Sequence, residues 1–162
     1  MSKNLEEKFK LYCVSENLEV NHNQVNVIKK LQDYFNQNFT STLFKIFKKK
    51  GLKKAFYLHG GVGVGKTMIL NFFFNKLNEN KLRLHFNEFM IKFHNFIFEN
   101  KDKSNGIDLF VKDLSKSTKL IYLDEFQVTN IVDAMILGKL FEQLFKEDIK
   151  IIFTSNTKIS EL

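Results

Sequence analysis

The sequence predicts an α/β fold: a parallel β-sheet covered by helices. Three observations carry that expectation. Short apolar runs alternate along the chain with stretches of helical periodicity, the order that βαβ units produce. The run Ala55-Phe-Tyr-Leu-His59 opens into a loop holding four of the seven glycines, Gly60, Gly61, Gly63 and Gly65, and then into a helical stretch. Two later runs end in polar groups, Asp124-Glu125 and Thr154-Ser155-Asn156. The carboxyl ends of parallel strands are where such sheets gather their chemistry.

Composition narrows the class. A chain of 162 residues that is 44% hydrophobic can bury a core and is not disordered. No apolar run approaches the roughly 18 residues of a membrane span. The start, Met1-Ser-Lys-Asn-Leu-Glu-Glu, lacks the apolar centre of a signal peptide, and its early acids argue against a transit peptide, so a cytoplasmic location is expected. Cys13 stands alone, which excludes an internal disulfide and leaves a small buried hydrophobe or inert thiol. The histidines at 22, 59, 85 and 94 show no metal-ligand spacing. A net charge of +7 raises nucleic acid or an anionic membrane as partners. Arg83 is the only arginine against 24 lysines, and Pro and Trp are absent, the pattern of AT-rich coding. The lysines are therefore read as a solvated surface, and nucleic acid is not expected as a partner.

In order, residues 5–19 show weak helical spacing. Asn23 to Phe35 is an amphipathic helix with Val27, Ile28, Leu31, Tyr34 and Phe35 on one face, capped by Asn21 or Asn23. A short helix is expected over Thr42 to Lys48, then a basic linker from Lys48 to Lys54. Residues 1–50 thus form an N-terminal helical segment, and 51–162 the sheet-containing core. The first strand is Ala55 to His59, and a helix runs from Met68 to Leu77. After a loop at 78–81, Leu82 to Phe86 reads as the second strand. Asn87 caps a helix through Phe89, Met90, Phe93, Phe96 and Ile97. A polar turn, Lys101 to Gly106, leads to a helix from Ile107 to Leu114. Leu120 to Phe126 is an apolar run closed by two acids. Ile131 to Phe145 is a helix with Val132, Met135, Ile136, Leu140, Leu144 and Phe145 as its apolar face, and Ile149 to Asn156 is the last strand.

The glycine-rich loop carries the chemistry. Gly60, Gly65, Lys66 and Thr67 fit the spacing G-x-x-x-x-G-K-[ST]. Backbone N–H groups must wrap a polyphosphate, and side chains would block that approach. The cradle runs through Gly60, Gly61, Val62, Gly63, Val64, Gly65, Lys66, Thr67 and Met68. Lys66 reaches the β- and γ-phosphates, and Thr67 offers its hydroxyl to Mg²⁺. The following helix points its free N–H groups at the anion. Alone, an apolar run followed by Asp-Glu is a common strand end. After a phosphate loop it reads as a Walker B pair: Asp124 positions Mg²⁺, and Glu125 orients the attacking water. Asn156 bridges the γ-phosphate and that water, the role called sensor 1. The GTPase signature Asn-Lys-x-Asp is missing: Asn75-Lys76-Leu77-Asn78 lacks the Asp and Asn100-Lys101-Asp102-Lys103 has the wrong spacing. ATP is therefore the expected nucleotide.

Four blocks resemble a known family: Gly60 to Thr67; Leu84-His-Phe-Asn-Glu-Phe-Met90; Leu123-Asp-Glu-Phe-Gln-Val-Thr-Asn-Ile-Val-Asp-Ala-Met-Ile-Leu-Gly138; and Thr154-Ser-Asn156. They look like the ZapE and lactation-elevated-protein-like (AFG1-like) AAA+ ATPases, and the resemblance covers about Asn23 to Leu162. It implies a P-loop NTPase of the AAA+ type and a cytoplasmic ATPase, peripheral to the inner membrane. The implied process is cell division or membrane-protein quality control. ATP-dependent homo-oligomers and a protein partner at the division site or inner membrane are implied with it. His85-Phe86-Asn87 stands where the family usually has His-Phe-His. Family members also continue into a fifth strand, an arginine finger and a sensor 2 region beyond the point where this chain stops. With those parts and the C-terminal lid missing, the phosphate-loop strand is expected at a sheet edge and hydrolysis is expected to be weak. Two alternatives stand beside ATP hydrolysis: a truncated nucleotide-binding remnant or interaction module with little turnover, and a helicase-loader-like ATPase suggested by the charge.

Overall fold

The computed structural model describes residues 5–39 and 53–161. The helix expected over 42–48, and most of the basic linker, lie outside the described residues. The elements run α1 (Leu5–Ser15), α2 (His22–Phe39), β1 (Ala55–His59), α3 (Lys66–Asn75), β2 (Lys81–His85), α4 (Phe86–Glu99), α5 (Gly106–Ser115), β3 (Leu120–Asp124), α6 (Ile131–Lys146) and β4 (Lys150–Ser155), with a 3₁₀ turn at Ile159–Glu161. They form an α/β fold with a four-stranded sheet flanked by helices. The chain divides into two compact units: one comprises the chain up to Phe56 with Val62–Asn78, the other Tyr57–Gly61 with Glu79 onward.

In the first unit, α1, α2 and α3 share an apolar core. Phe9 and Tyr12 of α1 each lie with ring centroids 5.1 Å from that of Phe72 in α3. Phe35 of α2 meets Phe73 edge-on at 6.3 Å. Asn21 supplies the cap of α2, its side chain accepting from the Asn23 N–H at 2.8 Å. The buried face of α2 is Val25, Ile28, Leu31, Tyr34 and Phe35, so Val25 takes the place expected for Val27. Cys13 is buried, and burial pushes its thiol pKa up, which keeps it protonated and unreactive. The helix α3 begins at Lys66, two residues before the expected start, because Gly65 (φ 84°) adopts the left-handed turn that feeds it.

The sheet has the order β1-β4-β3-β2, so β1 and β2 lie at its edges among the described residues. Its pairings β2–β3 and β3–β4 are parallel, with Leu84 opposite Leu123 and Leu123 opposite Phe153. Every residue of β3 and β4 is buried, whereas β1 and β2 alternate partly exposed positions, as central and edge strands should. In the second unit, Phe89 and Phe93 of α4, Phe110 and Val111 of α5, and Leu140 and Leu144 of α6 close over Ile121, Leu123, Ile151 and Phe153.

Two expectations shift here. The second strand ends at His85, and Phe86 opens α4. Asn87 is therefore not the cap. The start is held instead by the Glu88 carboxylate, which accepts the His85 N–H at 2.9 Å. The apolar face of α6 also differs. Its buried residues are Leu137, Leu140 and Leu144, while Val132 and Met135 are 52% and 80% exposed. Ile136 and Phe145 pack partly against the core as expected, but the buried face turns toward Leu137 and leaves Val132 and Met135, near the start of the helix, in solvent. Periodicity alone does not reveal where a helix begins to cover its sheet.

Candidate nucleotide site

The loop after β1 divides its work along the chain. Gly60 continues β1 in the second unit, and its N–H donates to the Ser155 carbonyl at 3.2 Å. This aligns the ends of β1 and β4. From Val62 the loop belongs to the first unit. Gly63 (φ 80°) and Gly65 (φ 84°) both take left-handed backbone, which would strain any other residue. Gln24 of α2, which the sequence did not single out, braces this segment: its Nε2 donates to the Val64 carbonyl at 3.2 Å. A methyl group on Gly65 would sit 2.8 Å from that same Nε2. Lys66 and Thr67 open α3, directly behind these turns, with Lys66 half-buried and Thr67 exposed. A methyl group built at Gly61 or Gly63 would meet no atom within 4 Å.

The second unit gathers the other predicted residues at the carboxyl ends of its strands. Asp124 is the last residue of β3 and is only 3% exposed. Its Oδ1 accepts the Thr154 hydroxyl from β4 and the Glu125 N–H at 3.2 Å. Its Oδ2 accepts from Arg83 Nη2 at 3.0 Å. Burial pushes the Asp124 pKa up, but the hydrogen bonds from Thr154 and Arg83 outweigh it, and the carboxyl titrates below its ordinary range. Beneath it, burial first and the Asp124 charge second push the Tyr122 phenol up, so it stays neutral.

Glu125 follows in a left-handed conformation, φ 56°, with its side chain exposed. A non-glycine residue there is strained and must be held from outside. Thr154 does part of this by accepting the Glu125 N–H at 3.1 Å. Phe126 does the rest. Its N–H donates to the Thr154 carbonyl at 2.7 Å, its own carbonyl accepts the Ser155 hydroxyl at 2.7 Å, and its ring packs 4.7 Å from Phe86 and 4.8 Å from Phe153. His85, at the end of β2, brings Nδ1 to 3.5 Å from Glu125 Oε2. Asn156 is the exposed residue just past β4. The structure thus unites Asp124, Glu125 and the Thr154-Ser155-Asn156 segment at one end of the sheet.

Sequence reasoning passed over Thr154, Phe126 and Arg83 as members of this cluster. Thr154 was visible only as part of a polar strand end. Phe126 was one of 19 phenylalanines. Arg83 lies opposite Tyr122 in the β2–β3 register, a pairing that no local spacing reports.

The donor chemistry suits a hard cation carried on a phosphate. Among the described residues, no three His, Cys, Asp or Glu side chains gather into a metal cage. What is present in the second unit is an ionised carboxylate at Asp124. Mg²⁺ typically takes one or two such protein oxygens together with substrate phosphates.

The model for the AFG1-like ATPase family matches residues 13–162. The chain belongs to the AFG1-like ATPase family. It is 38% identical over 121 residues to lactation elevated protein 1 homolog B of Danio rerio, covering 67% of this chain and 24% of the relative. It is 36% identical over 110 residues to the cell division protein ZapE of Escherichia coli K12, covering 67% of this chain and 29% of that protein. The chain therefore spans less than a third of these relatives' lengths. Among solved structures it is similar to DnaI, with a TM-score of 0.54 at 18% identity over 90% of this chain and 72% of that one. It is also similar to the AMPPCP-bound DnaA of Aquifex aeolicus, with a TM-score of 0.53 at 19% identity over 88% of this chain and 41% of that one. These likenesses establish a P-loop AAA+ fold. Among the described residues no helix is long and apolar enough to cross a membrane.

Proposed function

We propose that the chain binds ATP with Mg²⁺ and hydrolyses it to ADP and phosphate. The observation that carries this reading is the buried, ionised Asp124 beside Glu125 at a strand end, in a chain whose family is an ATPase family. In the proposed reaction, loop N–H groups from Gly60 to Met68 and the Lys66 ammonium hold the β- and γ-phosphates. Thr67 and Asp124 would hold the cation, which would offset charge on the phosphate oxygens. The Glu125 carboxylate accepts a hydrogen bond from water and orients its oxygen toward the γ-phosphorus. The water oxygen bonds to the γ-phosphorus as the bond from phosphorus to the ADP oxygen breaks, the water's proton leaves with the phosphate product, and the Asn156 amide steadies the γ-phosphoryl oxygens. The E. coli relative is named as a cell division protein, and by that kinship a role in cell division or membrane-protein quality control is proposed. The same kinship supports ATP-dependent homo-oligomers and a cytoplasmic site of action beside the inner membrane.

A second reading is a nucleotide-binding module with slow turnover. It is favoured by the position of Arg83: the chain's only arginine is tied to Asp124 at 3.0 Å. Held there, Arg83 does not serve as a cation that reaches the γ-phosphate from outside the site.

Nucleotide binding and phosphate release measured on the wild type, Lys66→Ala and Glu125→Gln test both readings. Lys66→Ala is expected to lose binding. Glu125→Gln is expected to bind ATP and turn over about 10²-fold or more slowly. Unchanged turnover in Glu125→Gln rejects the role of Glu125. Tight binding with no turnover in the wild type favours the second reading.

A further inference from the structure

Arg83 is the only arginine in the chain, and its side chain is committed to the acid end of the sheet. In the β2–β3 register it stands opposite Tyr122. Alternate residues of a strand share a face, so Tyr122 and Asp124 both face the same side and Arg83 reaches diagonally across them. Its guanidinium carbon lies 5.2 Å from the centre of the Tyr122 ring, and Nη2 lies 3.0 Å from Asp124 Oδ2. The other carboxylate oxygen already receives the Thr154 hydroxyl and the Glu125 N–H. Both oxygens of the proposed cation-binding acid therefore carry protein donors. A cation coordinated directly at Oδ2 competes with the guanidinium.

We propose that Arg83 is a positioning residue of the cation site. By pairing with Asp124 Oδ2 it neutralises the acid in advance and confines it to water-mediated contact with Mg²⁺ delivered on the nucleotide. The inference rests on the nucleotide reading above. Its consequence is specific. Removing the guanidinium frees Oδ2 and makes the site more negative, so Mg²⁺ binds more tightly.

The test uses fluorescent ADP titrated with Mg²⁺ on the wild type, Arg83→Gln and Arg83→Lys. Arg83→Gln is expected to lower the half-saturating Mg²⁺ concentration about threefold or more, while ADP affinity in EDTA stays within about twofold. Arg83→Lys, which keeps the charge, is expected to stay near the wild type. A midpoint that is unchanged or raised in Arg83→Gln overturns the proposal. A second measurement needs no variant. Selective ¹⁵N-arginine labelling yields one side-chain Nε–H signal, because the chain has one arginine. That signal is expected to move when Mg²⁺ is added to the ADP-bound protein and to hold still with ADP in EDTA. A signal unmoved by saturating Mg²⁺ overturns the proposal even if Arg83→Gln does not fold. A wild type that binds no ADP under either condition rejects the nucleotide reading, and this proposal with it. ADP binding with an unmoved midpoint and signal rejects the proposal alone.

Discussion

Gly63 and Gly65 shape the glycine-rich loop through backbone conformation, at φ 80° and 84°, with the flanking Val62 and Val64 side chains exposed. Asp124 is held the other way. It is buried, its oxygens are filled by Thr154, Glu125 and Arg83, and the next residue is pinned by an aromatic anchor. The loop is a local device that a few residues specify by their permitted dihedrals. The acid end is a tertiary device, assembled from three strands and a ring cluster. Damage to the first should cost ligand binding before it costs the fold. Damage to the second should cost the fold and the chemistry together.

The most severe test of that contrast is Phe126→Ala. Phe126 is 7% exposed and touches Phe86, Phe153, Phe141 and Tyr57. Losing it is expected to cost about 3–5 kcal/mol of stability, read from urea unfolding. Loss of activity with unchanged stability would break the comparison.

Thr154→Val comes next. It removes a donor to Asp124 and the acceptor for the Glu125 N–H, and leaves a buried carboxylate short of partners. About 1–3 kcal/mol is expected. The same variant sharpens the electrostatic account. Asp124 titrates below its ordinary range when folded, so its ionisation favours the folded state. That contribution is fully present above the unfolded value of about 3.9 and is lost as pH falls through the lower folded value. Wild-type stability should drop across that acid window, and Thr154→Val should drop less steeply. Equal slopes in pH-dependent unfolding curves would remove Thr154 as a cause.

Gly65→Ala probes the loop side. The left-handed backbone at φ 84° is expected to cost about 1–2 kcal/mol, and the new methyl must displace the Gln24 amide. Nucleotide affinity should fall with it, as measured by fluorescent ADP titration. Gln24→Ala is the mildest change. It removes one hydrogen bond to the Val64 carbonyl and is expected to cost about 0.5–1.5 kcal/mol in urea unfolding. A loss larger than that of Gly65→Ala would show that the brace, and not the glycine dihedral, shapes the loop.

Much of this was legible along the chain. The glycines from Gly60 to Gly65 announced a tight loop because left-handed backbone depends on the residue type at each position. Four apolar runs became the four strands, and the acids of Asp124-Glu125 lie at the strand end that their position after Leu123 implied. Other features were out of reach. Val132 and Met135 carry the right period for a core face, yet they project to solvent, because the buried face of α6 turns toward Leu137. Asn87 looked like a cap, yet Phe86 is drawn into the core and starts the helix one residue earlier.

The loop, the strand count and the acid pair follow from residues that act on their immediate neighbours: dihedral preference, two- and 3.6-residue periodicity, and the spacing of glycine to lysine. The partners of Asp124 do not. Arg83 is separated from it by 41 residues and Thr154 by 30. Which of many lysines, threonines and phenylalanines would meet the acid depended on the parallel register of β2, β3 and β4. That register is set by which strand faces pack, a property of the assembled sheet and not of any one segment.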